Sequence, residues 1–293
     1  RNDPALFGGE YPYVQTADIH NSDLYITSYS KTYSEFGKEQ SRLFEPGIVC
    51  ITNAGENTGD SAILGIKACF PDSIISLKPI EQLSDAYFLK YSIDMLRKRI
   101  RSITKGATQD NLSISKLVAL EFLAPPYSVQ KEIGGILRGY GELIENNKRR
   151  IELLEESARQ LYKEWFVRFR FPGHEHAKTI DGVPEGWAVN NLGSFIDVKK
   201  GKNITKNTVV NGEVPVVAGG LKPAYYHNQA NTKGPVITVS ASGANAGYVN
   251  LYKEDVWASD CSYIESNGDI PIPFYYLMLS ERQSEISAMQ KGS

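Results

Sequence analysis

Cysteine and histidine, the usual nucleophile, base and metal ligands, are few in this 293-residue chain, and their spacing does not suit such chemistry. The three cysteines, Cys50, Cys69 and Cys261, lie far apart without metal-ligand spacing, and they read as buried thiols of a reducing cytoplasm. His20, His174, His176 and His227 form no ligand cluster, and His174 with His176 reads as a loop pair. The run Ser242 to Gly247 is glycine-rich, but no Gly-Lys-Ser/Thr follows it, so it is not a phosphate loop. No Asp/Glu-x-Lys nuclease core falls in a plausible strand. What remains is local positive charge. From Arg97 to Lys116 the bases Arg97, Lys98, Arg99, Arg101, Lys105 and Lys116 face one acid, Asp110. From Trp187 to Asn250, Lys199, Lys200, Lys202, Lys206, Lys222 and Lys233 face Asp197 and Glu213. Two basic regions in a chain of net charge −2 suit contact with an anion at two places, or solvated surface.

Something must position those regions. The length suffices for about two domains with their own cores. No stretch approaches the roughly 20 apolar residues of a membrane span, and Arg1 opens no signal-peptide pattern. The longest pattern lies at the centre. Val129, Ile133, Ile136, Tyr140, Leu143 and Asn147 step by fours and threes, and Ile151, Leu154, Ala158, Leu161 and Trp165 continue after a slip near Asn147. That is a coiled-coil type of seam. Ser128 is placed to cap its start, and Glu145–Arg149 and Glu155–Arg159 to pair at i,i+4. Gly134, Gly135, Gly139 and Gly141 each weaken a helix by up to about 1 kcal/mol, so close approach of a second helix is expected to compensate. Pro172-Gly173 stops the pattern. About 40 residues would span about 60 Å, the dimension of a spacer.

The chain also repeats itself across that helix. Gly8–Val14 (GGEYPYV) matches Asn211–Val217 (NGEVPVV), and Gly47–Gly59 (GIVCITNAGENTG) matches Gly234–Gly247 (GPVITVSASGANAG). Asp85–Ile93 resembles Ile272–Ser280, and Ile103–Thr108 matches Ala288–Ser293, in the same order. The pattern predicts two similar mixed α/β (α+β) units, each with a β-branched strand entering a Gly-rich turn, then strands and a short helix.

The centre of the chain strongly resembles specificity subunits of type I restriction–modification systems. The elements are Pro125-Pro126 with Gln130 at a helix start, the aromatic box Trp165-Phe166-Val167, and Pro184, Gly186, Trp187, Leu192 and Gly193 at the next domain's entry. The resemblance implies a first target-recognition domain at 1–127, a spacer helix at 128–171 and a second recognition domain at 180–293. Against the family's pattern the first domain lacks a counterpart of Pro184–Lys206, and no second spacer helix follows Ser293. The second helix is therefore expected either to be missing from this sequence or to come from another chain. It would cover a seam of Ile133, Tyr140, Leu143, Asn147, Ile151, Leu154, Leu161 and Trp165.

The resemblance further implies double-stranded DNA as ligand, methyltransferase and restriction/translocase subunits as partners, and a cytoplasmic location without a membrane. It implies no catalysis and no cofactor on this chain, with S-adenosylmethionine, ATP and Mg held by the partners. Two domains about one DNA turn apart, roughly 34 Å, would each read half of a bipartite target. Lys and Arg would supply phosphate contacts and register, and polar side chains the base-edge contacts. The candidates are Asn53, Glu56 and Asn57 in the first Gly-rich turn; Thr104, Lys105, Thr108 and Gln109 in the following loop; Lys200, Lys202, Lys222, Tyr225 and Tyr226; and Ser240, Ser242 and Asn245 in the second turn. Each turn is equally a simple strand connection on its glycine content. Two other classes compete. Ala124-Pro-Pro-Tyr127 looks like the tetrapeptide of DNA amino-methyltransferases, but alanine cannot accept a hydrogen bond from the target amino group, and no cofactor fingerprint accompanies it. A protein-only coiled-coil scaffold would account for the helix and leave the two domains unexplained.

Overall fold

The computed structural model describes residues 3–104, 111–266 and 270–289, and the chain divides into two compact units, Arg1–Ile151 and Glu152–Ser293. The first unit contains β1 (Phe7–Tyr13), α1 (Thr16–His20), β2 (Tyr25–Ile26), β3 (Lys31–Tyr33), α2 (Glu35–Glu39), β4 (Val49–Thr52), β5 (Ser61–Leu64), β6 (Ile74–Leu77), α3 (Ala86–Thr104), α4 (Ile114–Val118) and most of α5 (Tyr127–Tyr162). Its main sheet runs β2-β5-β4-β6, with β4 antiparallel to both neighbours and β2 parallel to β5. Side chains alternate across it, as the two-residue strand period requires. Cys50, Ala62 and Leu64 face a cluster with Val14, Ile19 and Ile26. Val49, Ile51 and Ile63 face another with Ile93 and Ile100 of α3. Both faces are buried, so β4 and β5 read as continuous apolar runs.

The second unit contains β7 (Thr179–Ile180), β8 (Val183–Pro184), β9 (Lys199–Lys200), β10 (Val214–Val217), β11 (Tyr225–His227), β12 (Val236–Ser240), β13 (Val249–Tyr252), β14 (Trp257–Ala258), β15 (Cys261–Ile264), α6 (Ile272–Glu281) and α7 (Gln283–Ala288). Its four-stranded sheet runs β13-β12-β15-β9. The repeat seen in the sequence is a repeat of topology. β12 is antiparallel to β13 and β15 as β4 is to β5 and β6. Pro12 of β1 pairs with Thr32 of β3, and Pro215 of β10 with Tyr226 of β11, both antiparallel. Tyr13 bridges Cys69 in parallel, as Val216 bridges Trp257. The fourth strand breaks the correspondence: β2 adds beside β5, whereas β9 adds on the opposite edge, beside β15. The three cysteines are buried, and burial pushes the thiols of Cys50 and Cys261 up to about 12 and about 11.

The long helix departs from expectation in detail. It starts at Tyr127, so Ser128 lies inside it rather than capping it, and it ends at a π turn over Lys163–Val167. It is not a separate body, because residues up to Ile151 belong to the first unit. Glu145 does not pair with Arg149; its Oε1 accepts the backbone N–H groups of Leu24 and Tyr25, each at 2.9 Å. Arg159 pairs with Glu156 at 3.0 Å, not with Glu155. The glycine expectation divides. A Cβ on Gly134 would sit 2.3 Å from Asp85 Oδ1, and one on Gly141 2.6 Å from Tyr91 Oη, whereas Gly135 and Gly139 face open space. The closely approaching helix is thus α3 of the same unit. Gln130 joins the docking face by accepting from Asp85 N and donating to Leu83 O and Pro125 O. Tyr91 Oη donates to Leu137 O at 2.9 Å. In the second unit the aromatic box closes on its own domain: Phe166 lies 5.1 Å from Phe274 and 5.7 Å from Trp187, ring centre to ring centre.

Candidate nucleic-acid interface

The β4–β5 connection carries the first Gly-rich turn. Thr52 begins it with its backbone O accepting from Gly59 N at 2.9 Å, and Asp60 N donates to Asn57 O at 3.0 Å. The hydroxyls of Thr52 and Thr58 bond back to Asn57 O and Gly55 O, so the turn satisfies its own carbonyls. Gly59, at φ +85°, closes it where a Cβ would meet Ile100 Cγ2 of α3 at 3.1 Å. The tip keeps Glu56 exposed and Asn53 and Asn57 half-buried. Asn53 is partly committed, its amide donating to Asp72 O at 2.7 Å and its backbone O accepting from Leu112 N at 2.7 Å.

The β12–β13 connection repeats this arrangement. Gly247, at φ +83°, takes the place of Gly59, and a Cβ there would lie 3.0 Å from Ile286 O of α7. Gln283 fastens the exit, donating to Gly247 O and accepting from Val249 N, both at 2.9 Å. Ser242, exposed, donates to Asp260, and Asn245 donates weakly to Gly219 O at 3.4 Å. Strand register gathers the neighbouring loops at this end. Ser240 pairs with Cys261 and Ser262 with Lys200, so the C-terminal ends of β9 and β12 lie together. Lys202 N donates to Ala258 O at 2.9 Å. Lys222, in the β10–β11 loop after Gly219, is exposed, as are Lys200 and Lys202. Asn245, Ser242, Lys222, Lys200 and Lys202 therefore form one polar, cationic loop end.

Five of the candidate residues need correction or lie outside the described residues. Thr104 is buried, 3% exposed, with its hydroxyl turned back onto Arg101 O at 3.0 Å; it ends α3 packed on the core and cannot reach a ligand. Ser240 is likewise buried, as the last residue of a central strand, and its hydroxyl bonds Ser242 O. Lys105, Thr108 and Gln109 lie outside the described residues. Tyr226 is exposed, while Tyr225 is half-buried on the β11–β10 ribbon. The first basic region is also less free than its composition suggests, because Arg97 and Arg101 engage Asp60 at 3.4 and 3.1 Å. Lys98 and Arg99 remain exposed. Lys31 and Thr32, which sequence reasoning did not single out, occupy in the first unit the register positions of the candidates Tyr225 and Tyr226. The GGEYPYV–NGEVPVV match held the signal, had it been extended to each strand's partner.

The expected helix seam is present as a surface. Ile133, Tyr140, Leu143, Ile151, Leu154 and Leu161 are between 37% and 68% exposed. Asn147 is exposed and Trp165 half-buried. Within the first unit, Gln130, Gly134, Gly141 and Glu145 of the same helix turn instead to Leu24, Tyr25, Asp85 and Tyr91. No helix among the described residues is long and apolar enough to cross a membrane.

A family model described as "Type I restriction modification DNA specificity domain" matches residues 2–156 and 184–293. The chain is 27% identical over 221 residues to the type I restriction enzyme MjaIX specificity subunit of Methanocaldococcus jannaschii, covering 72% of this chain and 51% of that protein. It is 26% identical over 230 residues to the putative type I specificity subunit S.MgeORF438P of Mycoplasma genitalium, covering 74% and 56%. The crystal structure of a type I restriction–modification S subunit from M. genitalium superposes over 98% of this chain and 74% of its own, with a TM-score of 0.54 and 19% identity, a likeness of fold. The chain spans about half the length of the curated relatives it matches.

Proposed function

Because the chain belongs to the type I restriction–modification DNA specificity family, we propose that it is the DNA-reading subunit of such a complex, without catalysis of its own. Each unit reads one half of a bipartite target in double-stranded DNA. The observation that carries this is the duplication itself. Two units that share a three-strand antiparallel core each end its central strand, β4 or β12, in a Gly-rich turn with a polar tip, and the second adds exposed lysines around it. Polar tips suit base edges in the major groove, and flexible lysines suit phosphates. Helix α5 joins the two readers and sets the gap between half-sites. Its exposed stripe docks methyltransferase subunits or the second helix that they or another specificity chain provide. S-adenosylmethionine, ATP and Mg then act on the partner subunits, including the restriction/translocase, in the cytoplasm.

The test is methylome mapping of cells that express this chain with its methyltransferase partner. The expected motif is two short half-sites separated by an unspecified gap. A contiguous motif, or none with the partner present and active, would overturn the reading.

A further inference from the structure

Asp60 directly follows the first Gly-rich turn, is 5% exposed, and meets side chains from two helices. His20 Nδ1 of α1 lies 2.6 Å from its Oδ2, and Arg101 Nη2 and Arg97 Nε of α3 lie 3.1 and 3.4 Å from its Oδ1. The Arg101 guanidinium also donates through Nε to Thr58 O at 3.0 Å. One planar fork thus grips the turn's exit twice, by backbone and by carboxylate, a geometry that lysine cannot reproduce. The fastening continues along α3: Ser61 Oγ donates to Asp94 Oδ1 at 2.8 Å, and Lys90 Nζ lies 2.5 Å from Asp94 Oδ2. The second unit holds its turn differently, through Gln283 and Ser242–Asp260. We propose that Arg101 and Asp60 are positioning residues that set the aim of the Asn53–Asn57 tip at the first half-site, so that Arg101, though in a basic stretch, is not a phosphate contact. The proposal rests on the DNA-reading assignment above.

Binding of the chain, together with its methyltransferase partner, to a duplex library randomised in both half-sites separates the possibilities. Arg101→Gln is expected to lower preference for the favoured bases of one half-site by about tenfold, the scale of a lost base contact. It should leave the other half-site and the salt dependence unchanged, and Arg101→Lys should fall between it and the parent. Asp60→Asn should relax the same half-site. The positioning role is overturned if Arg101→Gln weakens all sequences alike and lowers the salt slope by about one, as loss of a phosphate contact does. It is also overturned if Asp60→Asn, by releasing Arg101, tightens binding to every sequence, or if folded Arg101→Gln keeps full preference. Should Asp60→Asn not fold, Arg101→Gln and Arg101→Lys decide alone. A parent protein without two half-sites would instead bring down the underlying assignment.

Discussion

Replacing Glu145 should loosen the first unit more than any local feature of the helix suggests. Its Oε1 accepts the N–H groups of Leu24, which is buried, and Tyr25, both at 2.9 Å. Hydrogen bonds to a charged acceptor contribute about 1.5–3 kcal/mol each, and a buried N–H left without a partner costs about 1–3 kcal/mol. Glu145 is half-buried, so water can replace part of what is lost, and Glu145→Ala should destabilise the first unit by about 2–3 kcal/mol. Glu145→Gln keeps an oxygen in place and should lose about 1 kcal/mol. Arg149, the i,i+4 neighbour that local pairing would favour, is exposed, and Arg149→Ala should stay within about 0.5 kcal/mol of the parent. Urea unfolding followed by far-ultraviolet dichroism measures all three, fitted to the transition of the first unit. Equal and small effects of the alanine and glutamine variants, or an effect of Arg149→Ala matching that of Glu145→Ala, would refute the reasoning.

Three further outcomes are expected. A heptad inserted between Arg150 and Ile151 keeps the helix face nearly in phase and should lengthen the tolerated gap or abolish activity; an unchanged gap in a methylation assay excludes the helix as spacer. Leu154→Asp and Leu161→Asp place charge on positions that are 68% and 50% exposed, so the chain's own melting should shift little while assembly with the methyltransferase fails; normal co-purification of both variants would contradict the docking role. Asn245→Ala should relax only the half-site of the second unit, whereas Lys202→Ala should lower affinity for every sequence and reduce its salt dependence, read by competition binding over a salt series. Preferences shifted equally in both halves by Asn245→Ala would remove that turn from base reading.

Local pattern made some of this molecule legible. The helix, the two apolar strands running into Gly-rich turns and the order of the repeat follow from periodicities of a few residues. What stayed hidden depends on partners far along the chain. Glu145 meets Leu24 and Tyr25 instead of Arg149, because an exposed i,i+4 pair contributes only a few tenths of a kcal/mol and yields to two backbone donors. Arg97 and Arg101 read as free cations until the fold brings Asp60 beneath them. Thr104 and Ser240 carry the right side chains for recognition, yet sit at element ends that pack inward. The edge on which the fourth strand adds was equally invisible, since two-residue strands such as β2 and β9 have too little pattern to announce their neighbours.

Gly59 and Gly247 separate two kinds of selection on the same loop. Each is wedged against a helix at positive φ, so a side chain there would disturb both backbone and packing. The neighbouring positions Glu56 and Ala244 are exposed and outside the core clusters. Substitutions at these two positions should therefore affect folding little, while the wedged glycines cannot change without strain. The loop tolerates change at these exposed positions and is brittle where glycine meets the helix. If the proposed reading role holds, new targets would be reachable by changes at Glu56 and Ala244 that leave the packed glycines in place.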